Sequence, residues 1–289
     1  MFKGDLRQIC IDALIKSYKR HQKLGKDGLK ELTKNFAGET SLVADWDAEE
    51  AVIETLRNHK VPITIVSEEH GTVRLGSEFT GVLDGLDGTN RYEAFISGDR
   101  TARYGTMFAI FEGTNPIYGN YIFSGIMEHP TGRLITASRD KGIHLIDPST
   151  GKSKLVESDL RTELDPKRIR ADTGSKAKHF PFVVDAYIKK LPELHLLSDN
   201  ISLRSSAAHY ADFALGEADW VFECTRKHNL EIAVAYGLVR ERGGVMVSLD
   251  GKDIGNQRYF EFHYDPEDYV VVISAPNLQA AKTVIKRLK

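Results

Sequence analysis

Hydrophobic and polar residues recur with different periods along the chain, and the changes of period mark out its predicted elements. Apolar residues at helical spacing predict a first helix over 6–18 and a second from just after Asp45 to Asn58. Two short β-branched runs then predict strands, one ending at Ser67 and the other at Asp84. The first part of the chain is therefore predicted to place two helices ahead of two strands.

The pattern changes between residues 104 and 146, where short β-rich runs are separated by turns that contain glycine. Antiparallel strands need only local turns to connect them, so this pattern predicts a meander. The polar, turn-rich segment 147–166 follows and is the predicted boundary between two halves, residues 1–150 and residues 151–289.

Helical and strand patterns alternate beyond that boundary. Strands are predicted at 168–172, 194–198, 220–224, 245–249 and 269–275, and helices at 180–191, 207–215, 230–242 and 276–289. The pair Gly243-Gly244 is predicted to end the third of these helices. An order of this kind favours an α+β protein in which helices and sheets form alternating layers.

Composition and charge narrow the possible functions. Lys and Arg total 39 against 41 Asp and Glu, a net charge of −2, which argues against general nucleic-acid binding. The apolar runs are too short to cross a bilayer, and the first residues lack the apolar stretch of a signal peptide. Two cysteines, Cys10 and Cys224, are too few for a disulfide framework or a structural zinc site. We expect a cytoplasmic protein without membrane association.

Acidic residues cluster at the ends of predicted elements, and these clusters carry the candidate chemistry. The clusters are Glu68 with Glu69, Asp84 with Asp87, and Glu231. Taken singly, they also fit surface charge, an Asx turn and a helix N-terminus, so the prediction rests on their combination. Carboxylates and carbonyls are the ligands that Mg²⁺ prefers, and paired ions can clamp both oxygens of a phosphoryl transfer. Asp84, Asp87 and the carbonyl of Leu86 would offer three oxygens from one turn.

The residues directly after this turn suit an anion. Gly88, Thr89 and Asn90 would direct backbone N–H groups at a phosphate, as helix N-termini and backbone nests do. The Thr89 hydroxyl is also placed to polarise a water if a second carboxylate shares it. A phosphate ester is therefore the predicted type of substrate.

These residues and their order resemble the inositol monophosphatase-like family of Mg²⁺-dependent, lithium-sensitive sugar and nucleotide phosphatases. The family signature D-P-[IL]-D-G-T is similar to Asp84-Gly85-Leu86-Asp87-Gly88-Thr89, and [GS]-E-E is similar to Ser67-Glu68-Glu69. Three further family elements are similar to segments 44–49, 204–208 and 230–244. Five such elements occur in the family's order over about 200 residues, 44 to 244.

The resemblance implies a role for each matching residue. It implies two or three Mg²⁺ ions held by Glu68, Asp84, the Leu86 carbonyl, Asp87 and Glu231. It implies Asp45, Thr89 and Glu68 as catalytic residues, the first two activating the nucleophilic water. It implies phosphate binding by Gly88 and Thr89, and contact with the substrate's alcohol or sugar by Ser205, Ser206, Ala207 and Glu223.

The resemblance also implies a fold and an assembly. The implied fold is the layered α-β-α-β-α sandwich of the inositol monophosphatase and fructose-1,6-bisphosphatase type, and family members are frequently homodimers. Residues 1–150 would then hold the meander and the first metal ligands, and residues 151–289 would complete the active site. The sequence departs from the family pattern at Gly85, where proline is usual, at Asn90, which follows Thr89 directly, and at Leu230-Glu231, where Trp-Asp is usual.

The predicted function is Mg²⁺-dependent hydrolysis of a small phosphate monoester such as an inositol monophosphate. Fructose 1,6-bisphosphate and 3′-phosphoadenosine 5′-phosphate, which the resemblance to the family also implies, are alternative substrates. Several arginines could meet a second phosphate, although arginines spread along the chain fit surface charge equally well. These arginines are Arg91, Arg100, Arg103, Arg204 and Arg226. A further alternative is a non-catalytic relative that binds a sugar phosphate or a protein partner and has a regulatory role.

Overall fold

The computed structural model describes residues 2–35, 40–171, 205–225, 228–265 and 268–289. Six α-helices lie within these ranges: α1 Leu6–Leu24, α2 Val43–Asn58, α3 Thr89–Ile96, α4 Ser206–Ala214, α5 Leu230–Glu241 and α6 Leu278–Leu288. The first ten strands are β1 Glu31–Lys34, β2 Thr40–Leu42, β3 Ile63–Ser67, β4 Gly71–Arg74, β5 Phe79–Asp87, β6 Gly105–Glu112, β7 Tyr121–Glu128, β8 Arg133–Ser138, β9 Ile143–Ile146 and β10 Ser153–Val156. The last four are β11 Ile169–Ala171, β12 Trp220–Thr225, β13 Val245–Ser248 and β14 Val270–Ala275.

The strands form a large sheet and a small sheet, with β1 and β2 as a separate hairpin. The large sheet has eight strands in the order β10-β9-β8-β7-β6-β5-β3-β4, antiparallel except for the parallel pair β3 and β5. The small sheet has the order β11-β12-β14-β13 and is parallel only between β11 and β12. The predicted meander is the run β6 to β9, extended by β10.

Three apolar cores join these sheets and helices into five layers. The first core packs α1 and α2 on one face of the large sheet, with Leu14 and Phe108 among its members. The second fills the space between the other face, helices α4 and α5, and the small sheet, and it includes Met107 and Leu238. The third core packs α6 on the far side of the small sheet around Trp220. The predicted α-β-α-β-α sandwich is confirmed.

Some predicted boundaries differ from those in the structure, and others agree with them. Helix α2 begins at Val43, so Asp45 lies inside its first turn and not ahead of it. Strand β5 continues to Asp87, beyond the predicted end at Asp84, because it keeps pairing with β6. Helix α5 ends before Gly243, whose φ of 89° is left-handed, as predicted. The predicted helix 180–191 and strand 194–198 lie outside the described residues.

The segment 147–166, predicted as a polar boundary, contains an additional strand. Strand β10 pairs antiparallel with β9 and forms one edge of the large sheet. Its residues are mostly exposed, which is why its sequence lacks a buried apolar pattern. The division into halves at residues 150 and 151 stays a prediction. In the part of the chain that the structure covers, no helix has the length and hydropathy needed to cross a membrane.

Candidate active site

The predicted acidic turn lies at a distortion in the pairing of β5 with β6. Asp84 is opposite Met107 and Asp87 is opposite Gly105, so three steps along β5 match two steps along β6. Side chains three positions apart in a regular strand point to opposite faces, and the extra residue of a bulge changes that alternation. The distortion explains how both carboxylates reach one site.

Three of the five predicted metal ligands come together. Carboxylate oxygens of Asp84, Asp87 and Glu231 lie within 4.8 Å of one another. Asp84 and Asp87 come from β5, while Glu231 is in the first turn of α5. An all-oxygen donor set of this kind fits Mg²⁺ and other hard divalent cations. The observed grouping supports the predicted metal site.

Leu86 and Glu68, the other two predicted ligands, lie beside this trio. The backbone N–H of Leu86 donates to Asp84 Oδ1 at 3.0 Å, and the Leu86 carbonyl oxygen lies 3.4 Å from Thr89 Oγ1. Glu68 follows β3, the parallel neighbour of β5 in the large sheet. Burial raises the pKa of Asp84 well above its usual value, and the charges of Glu68, Asp87, Glu231 and Glu49 raise it further. The site therefore gathers negative charge that a cation would relieve.

Asp45 and Thr89, the predicted water-activating pair, are in direct contact. The Thr89 hydroxyl donates to Asp45 Oδ1 at 2.9 Å. The second carboxylate oxygen of Asp45, Oδ2, is buried and has no hydrogen-bond partner among the described residues. Burial raises the pKa of Asp45 well above its usual value, with further increases from the charges of Glu68 and Glu69. Such a carboxylate accepts a proton readily.

Backbone N–H groups suited to a phosphate stand at the start of α3. Gly88 is left-handed, with φ 97°, and its carbonyl accepts from the N–H groups of Arg91 and Tyr92. The N–H groups of Gly88, Thr89 and Asn90 precede the first intrahelical bond, so the helix itself leaves them available. A Cβ at residue 88 would lie 2.7 Å from Ser205 Cβ, so only glycine fits there.

The four predicted substrate-contacting residues lie around the N-terminus of α4. Ser205 caps the helix, its hydroxyl accepting from Ala208 N–H at 3.2 Å. Ala207 N–H donates to Asp87 Oδ2, and the Ser206 hydroxyl donates to Glu223 Oε1 at 3.1 Å. These bonds join α4 and β12 to the acidic turn of β5. The structure thus brings all four residues to the same region as the predicted metal ligands.

Glu49 of α2 was missed as a site residue by the sequence analysis, although it stands in the family-like segment 44–49. Its carboxylate is fully buried and accepts hydrogen bonds from the backbone N–H groups of Glu68 at 3.0 Å, Glu69 at 3.1 Å and His70 at 3.1 Å. It also accepts from His70 Nδ1 at 2.8 Å. Because Glu49 and Asp45 share one helix, α2 fixes the Glu68 loop relative to Asp45.

The arginines considered for a second phosphate have different surroundings. Arg103 forms ion pairs with the buried carboxylates of Glu128 and Asp212, so its charge is already neutralised. The Arg100 guanidinium lies over the Phe95 ring, 4.7 Å from its centroid. Arg91 is in the first turn of α3, whereas Arg204 and Arg226 lie outside the described residues.

Five layers with an acidic site beside β5 and α5 define the class of protein, a layered α+β protein with a candidate metal centre. A sequence profile described as the inositol monophosphatase family matches residues 5–288. The chain belongs to the inositol monophosphatase family.

Individual relatives agree with this assignment. The chain is 26% identical over 258 residues to a fructose-1,6-bisphosphatase/inositol-1-monophosphatase of Thermococcus kodakarensis, covering 88% of this chain and 85% of the relative. Its fold is similar to that of the extragenic suppressor protein suhB from Bartonella henselae, with TM-score 0.72, 19% identity and 99% of each chain covered. An inositol monophosphatase from Anabaena gives TM-score 0.67 at 15% identity, covering 98% of this chain and 94% of that one.

Proposed function

We propose that this protein hydrolyses a small phosphate monoester, such as an inositol monophosphate, and that it requires Mg²⁺. One observation carries the proposal: the carboxylates of Asp84, Asp87 and Glu231 lie within 4.8 Å of one another beside the hydrogen-bonded pair Thr89 and Asp45. The three carboxylates would hold Mg²⁺ together with Glu68 and the Leu86 carbonyl. When bound, Mg²⁺ supplies positive charge that stabilises the phosphoryl oxygens and the leaving oxygen.

Thr89 and Asp45 provide the proton transfer in this proposal. Because Thr89 Oγ1 donates its proton to Asp45 Oδ1, its lone pairs are free to accept a hydrogen bond from the attacking water. The water's proton passes to Thr89 Oγ1 as the Thr89 proton passes to Asp45. The raised pKa of Asp45, caused by burial and by Glu68 and Glu69, suits a base of this kind.

The N-termini of α3 and α4 provide binding and orientation. The N–H groups of Gly88 and Thr89 would bind the phosphate, which lies at the positive end of α3. Ser205, Ser206, Ala207 and Glu223 would face the alcohol or sugar of the substrate. Fructose 1,6-bisphosphate is the second candidate substrate, supported by the name of the Thermococcus kodakarensis relative. The acidic trio and the Thr89–Asp45 pair support catalysis over a purely regulatory role.

Two further sequence predictions belong to this proposal. We propose a cytoplasmic protein, since two cysteines are too few for the disulfide framework typical of oxidising compartments. We also propose a homodimer, on the resemblance to the family alone. Gel filtration with light scattering would measure the assembly.

Phosphate release tests the activity. The protein would be incubated with a panel of sugar, inositol and nucleotide phosphates, with Mg²⁺ and with EDTA. We expect release with Mg²⁺ for at least one ester and loss of release with EDTA. Asp87→Asn should reduce release to background while keeping the circular dichroism spectrum, and Asp250→Asn, in an exposed turn, should retain full activity. Near-normal release by Asp87→Asn would contradict the proposal.

A further inference from the structure

The last residue of β12, Thr225, is fully buried next to the start of α5. Alternate residues of a strand share a face. Val221 belongs to the core that contains α4 and α5, and Trp220 and Phe222 belong to the core on the other side of the small sheet. Glu223 and Thr225 therefore lie on the face of β12 that packs against α4 and α5. This is the face that meets the acidic site.

Thr225 contacts the predicted metal ligand of α5 directly. Its hydroxyl donates to Glu231 Oε2 at 2.5 Å. A threonine hydroxyl has one proton to donate, so this bond commits it to the glutamate. The other carboxylate oxygen, and the second lone pair of Oε2, stay available to a cation.

The backbone directly ahead of α5 is also held by contacts from another segment. Asn229 is the N-cap residue directly before α5, and its backbone is left-handed, with φ 53° and ψ 38°. Its side-chain Nδ2 donates to the carbonyls of Phe262 at 2.6 Å and His263 at 2.7 Å. The backbone on both sides of Glu231 is therefore fixed, and the remaining freedom is in the Glu231 side chain.

A glutamate has more of this freedom than an aspartate would have at the same position. It has one additional rotatable bond, and the torsion next to its carboxylate is broad and poorly defined without a partner. A ligand that must stay within 4.8 Å of Asp84 and Asp87 oxygens needs that torsion restricted. The bond from Thr225 restricts it.

We propose that Thr225 is a positioning residue, which holds the Glu231 carboxylate in the orientation that binds the metal ion. This proposal rests on the proposed function, because it takes Glu231 as a metal ligand. In this proposal Thr225 is not itself a metal ligand and acts through its hydrogen bond to Glu231. The longer ligand at position 231 and the buried hydroxyl at position 225 then act as a pair.

Isothermal titration calorimetry of Mg²⁺ into the metal-free protein tests this without any substrate. Thr225→Val and Thr225→Ala both remove the donor, and Thr225→Val keeps the shape and the β-branch. We expect Mg²⁺ affinity to fall by about ten- to a hundredfold, the factor associated with one hydrogen bond to a charged group. Thr225→Ser, which restores a hydroxyl, should recover most of the affinity.

A matched control separates the loss of this donor from the general loss of a buried threonine hydroxyl. Thr136 is a buried threonine in β8, in the large sheet, and Thr136→Val should bind Mg²⁺ as the wild type does. The proposal is overturned if donor-free variants that keep the wild-type circular dichroism spectrum bind Mg²⁺ with unchanged affinity. The proposal is also overturned if Thr225→Ser loses as much Mg²⁺ affinity as Thr225→Val does.

The same experiment distinguishes this proposal from the proposed function. If the wild type binds Mg²⁺ but hydrolyses no ester in the panel, the proposed activity fails and the calorimetry still decides the role of Thr225. If the wild type binds no Mg²⁺, both proposals are wrong.

Discussion

The hydroxyl of Thr89 donates to Asp45 Oδ1 at 2.9 Å, although the two residues are 44 positions apart in sequence. Thr89 begins α3 directly after the acidic turn, and Asp45 lies in the first turn of α2. The contact therefore joins the N-termini of two helices that lie on either side of β5 in sequence. It also places a proton acceptor beside the proposed phosphate site.

Removing the Thr89 hydroxyl should impair turnover more than binding. We expect Thr89→Val to lower kcat by about a hundredfold or more, because the proton path to Asp45 is broken. Mg²⁺ affinity should change little, since the carboxylates remain. Steady-state kinetics and calorimetry would measure the two effects, with Thr89→Ser as the control that retains a hydroxyl. A kcat within threefold of the wild type would remove Thr89 from the proposed proton path.

Glu49 should stabilise the fold and the metal site together. Glu49→Gln replaces one acceptor oxygen by an NH₂ group that faces the backbone N–H groups of Glu68, Glu69 and His70. We expect a loss of about 2 kcal/mol in the free energy of unfolding, because buried donors lose their charged acceptor. Mg²⁺ affinity should fall as well, since Glu68 is on the released loop.

Urea denaturation and calorimetry would measure these two effects. Glu54→Gln is the matched control, because Glu54 is on the same helix but forms partly exposed ion pairs with Lys16 and Arg20. Exposed pairs of this kind contribute about 1 kcal/mol or less. If Glu49→Gln costs no more than Glu54→Gln, the buried hydrogen bonds of Glu49 do not stabilise the loop.

Gly85 should not tolerate a side chain. A Cβ at this position would lie 2.4 Å from the Asp45 carbonyl oxygen and 2.7 Å from Glu49 Cγ. The first contact is with backbone, so Gly85→Ala must displace α2 from β5, at a cost of about 1–3 kcal/mol for overpacking. The displacement moves Asp45 away from Thr89, so kcat should fall together with stability.

Thermal denaturation and phosphate release would test this substitution. Gly151→Ala is the comparison, because Gly151 has φ 70° but no heavy atom within 4 Å of its added Cβ. Gly151→Ala should lose only the stability that a positive φ costs an alanine, and its activity should be unchanged. If Gly85→Ala keeps the wild-type kcat, α2 can move away from residue 85 without separating Asp45 from Thr89.

A buried histidine pair beneath the site should make the stability depend on pH. The rings of His21 and His129 are in contact, with centroids 4.1 Å apart and an interplanar angle of 30°, and burial lowers the pKa of His21 to about 4 from 6.5. Burial and the charge of His21 likewise lower the pKa of His129. The folded state therefore binds fewer protons than the unfolded chain, so the stability present above pH 6.5 is lost as the pH falls towards 4.

For His21 alone, this difference amounts to on the order of 3 kcal/mol. His21→Phe cannot take up the proton, so its free energy of unfolding should change less than that of the wild type between pH 6.5 and pH 4. Urea denaturation across this range would measure both. The exposed His59→Gln should keep the wild-type dependence. If the free energy of unfolding of His21→Phe falls with pH as much as that of the wild type, His21 is not the source of this pH dependence.

The sequence was sufficient to predict the layers and to name most of the residues that the structure brings together around the acidic trio. The residues proposed to carry chemistry stand at the ends of apolar runs, so their position in the fold follows from where those runs end. The end of β5 was placed too early, because glycines at 85 and 88 resemble a turn. In the structure, the strand continues through a distortion and pairs as far as Gly105.

Other features depend on distances that sequence patterns do not contain. Glu49 resembles any acidic residue of an amphipathic helix, and only the packing of α2 shows its carboxylate against the Glu68 loop. Thr225 resembles an ordinary β-branched strand residue, and its partner Glu231 comes six positions later in sequence. The edge strand β10 is exposed and so lacks the apolar alternation that identifies other strands.

The dispersed origin of the acidic trio also affects how the protein must fold. Asp84 and Asp87 come from the large sheet, whereas Glu231 reaches them from α5, nearly 150 positions later, after the small sheet has begun. Contacts between such distant positions form late, because closing a long stretch of chain costs entropy. Recovery of Mg²⁺ affinity after dilution from denaturant should therefore lag behind recovery of secondary structure, which makes cation binding a reporter of completed renaturation.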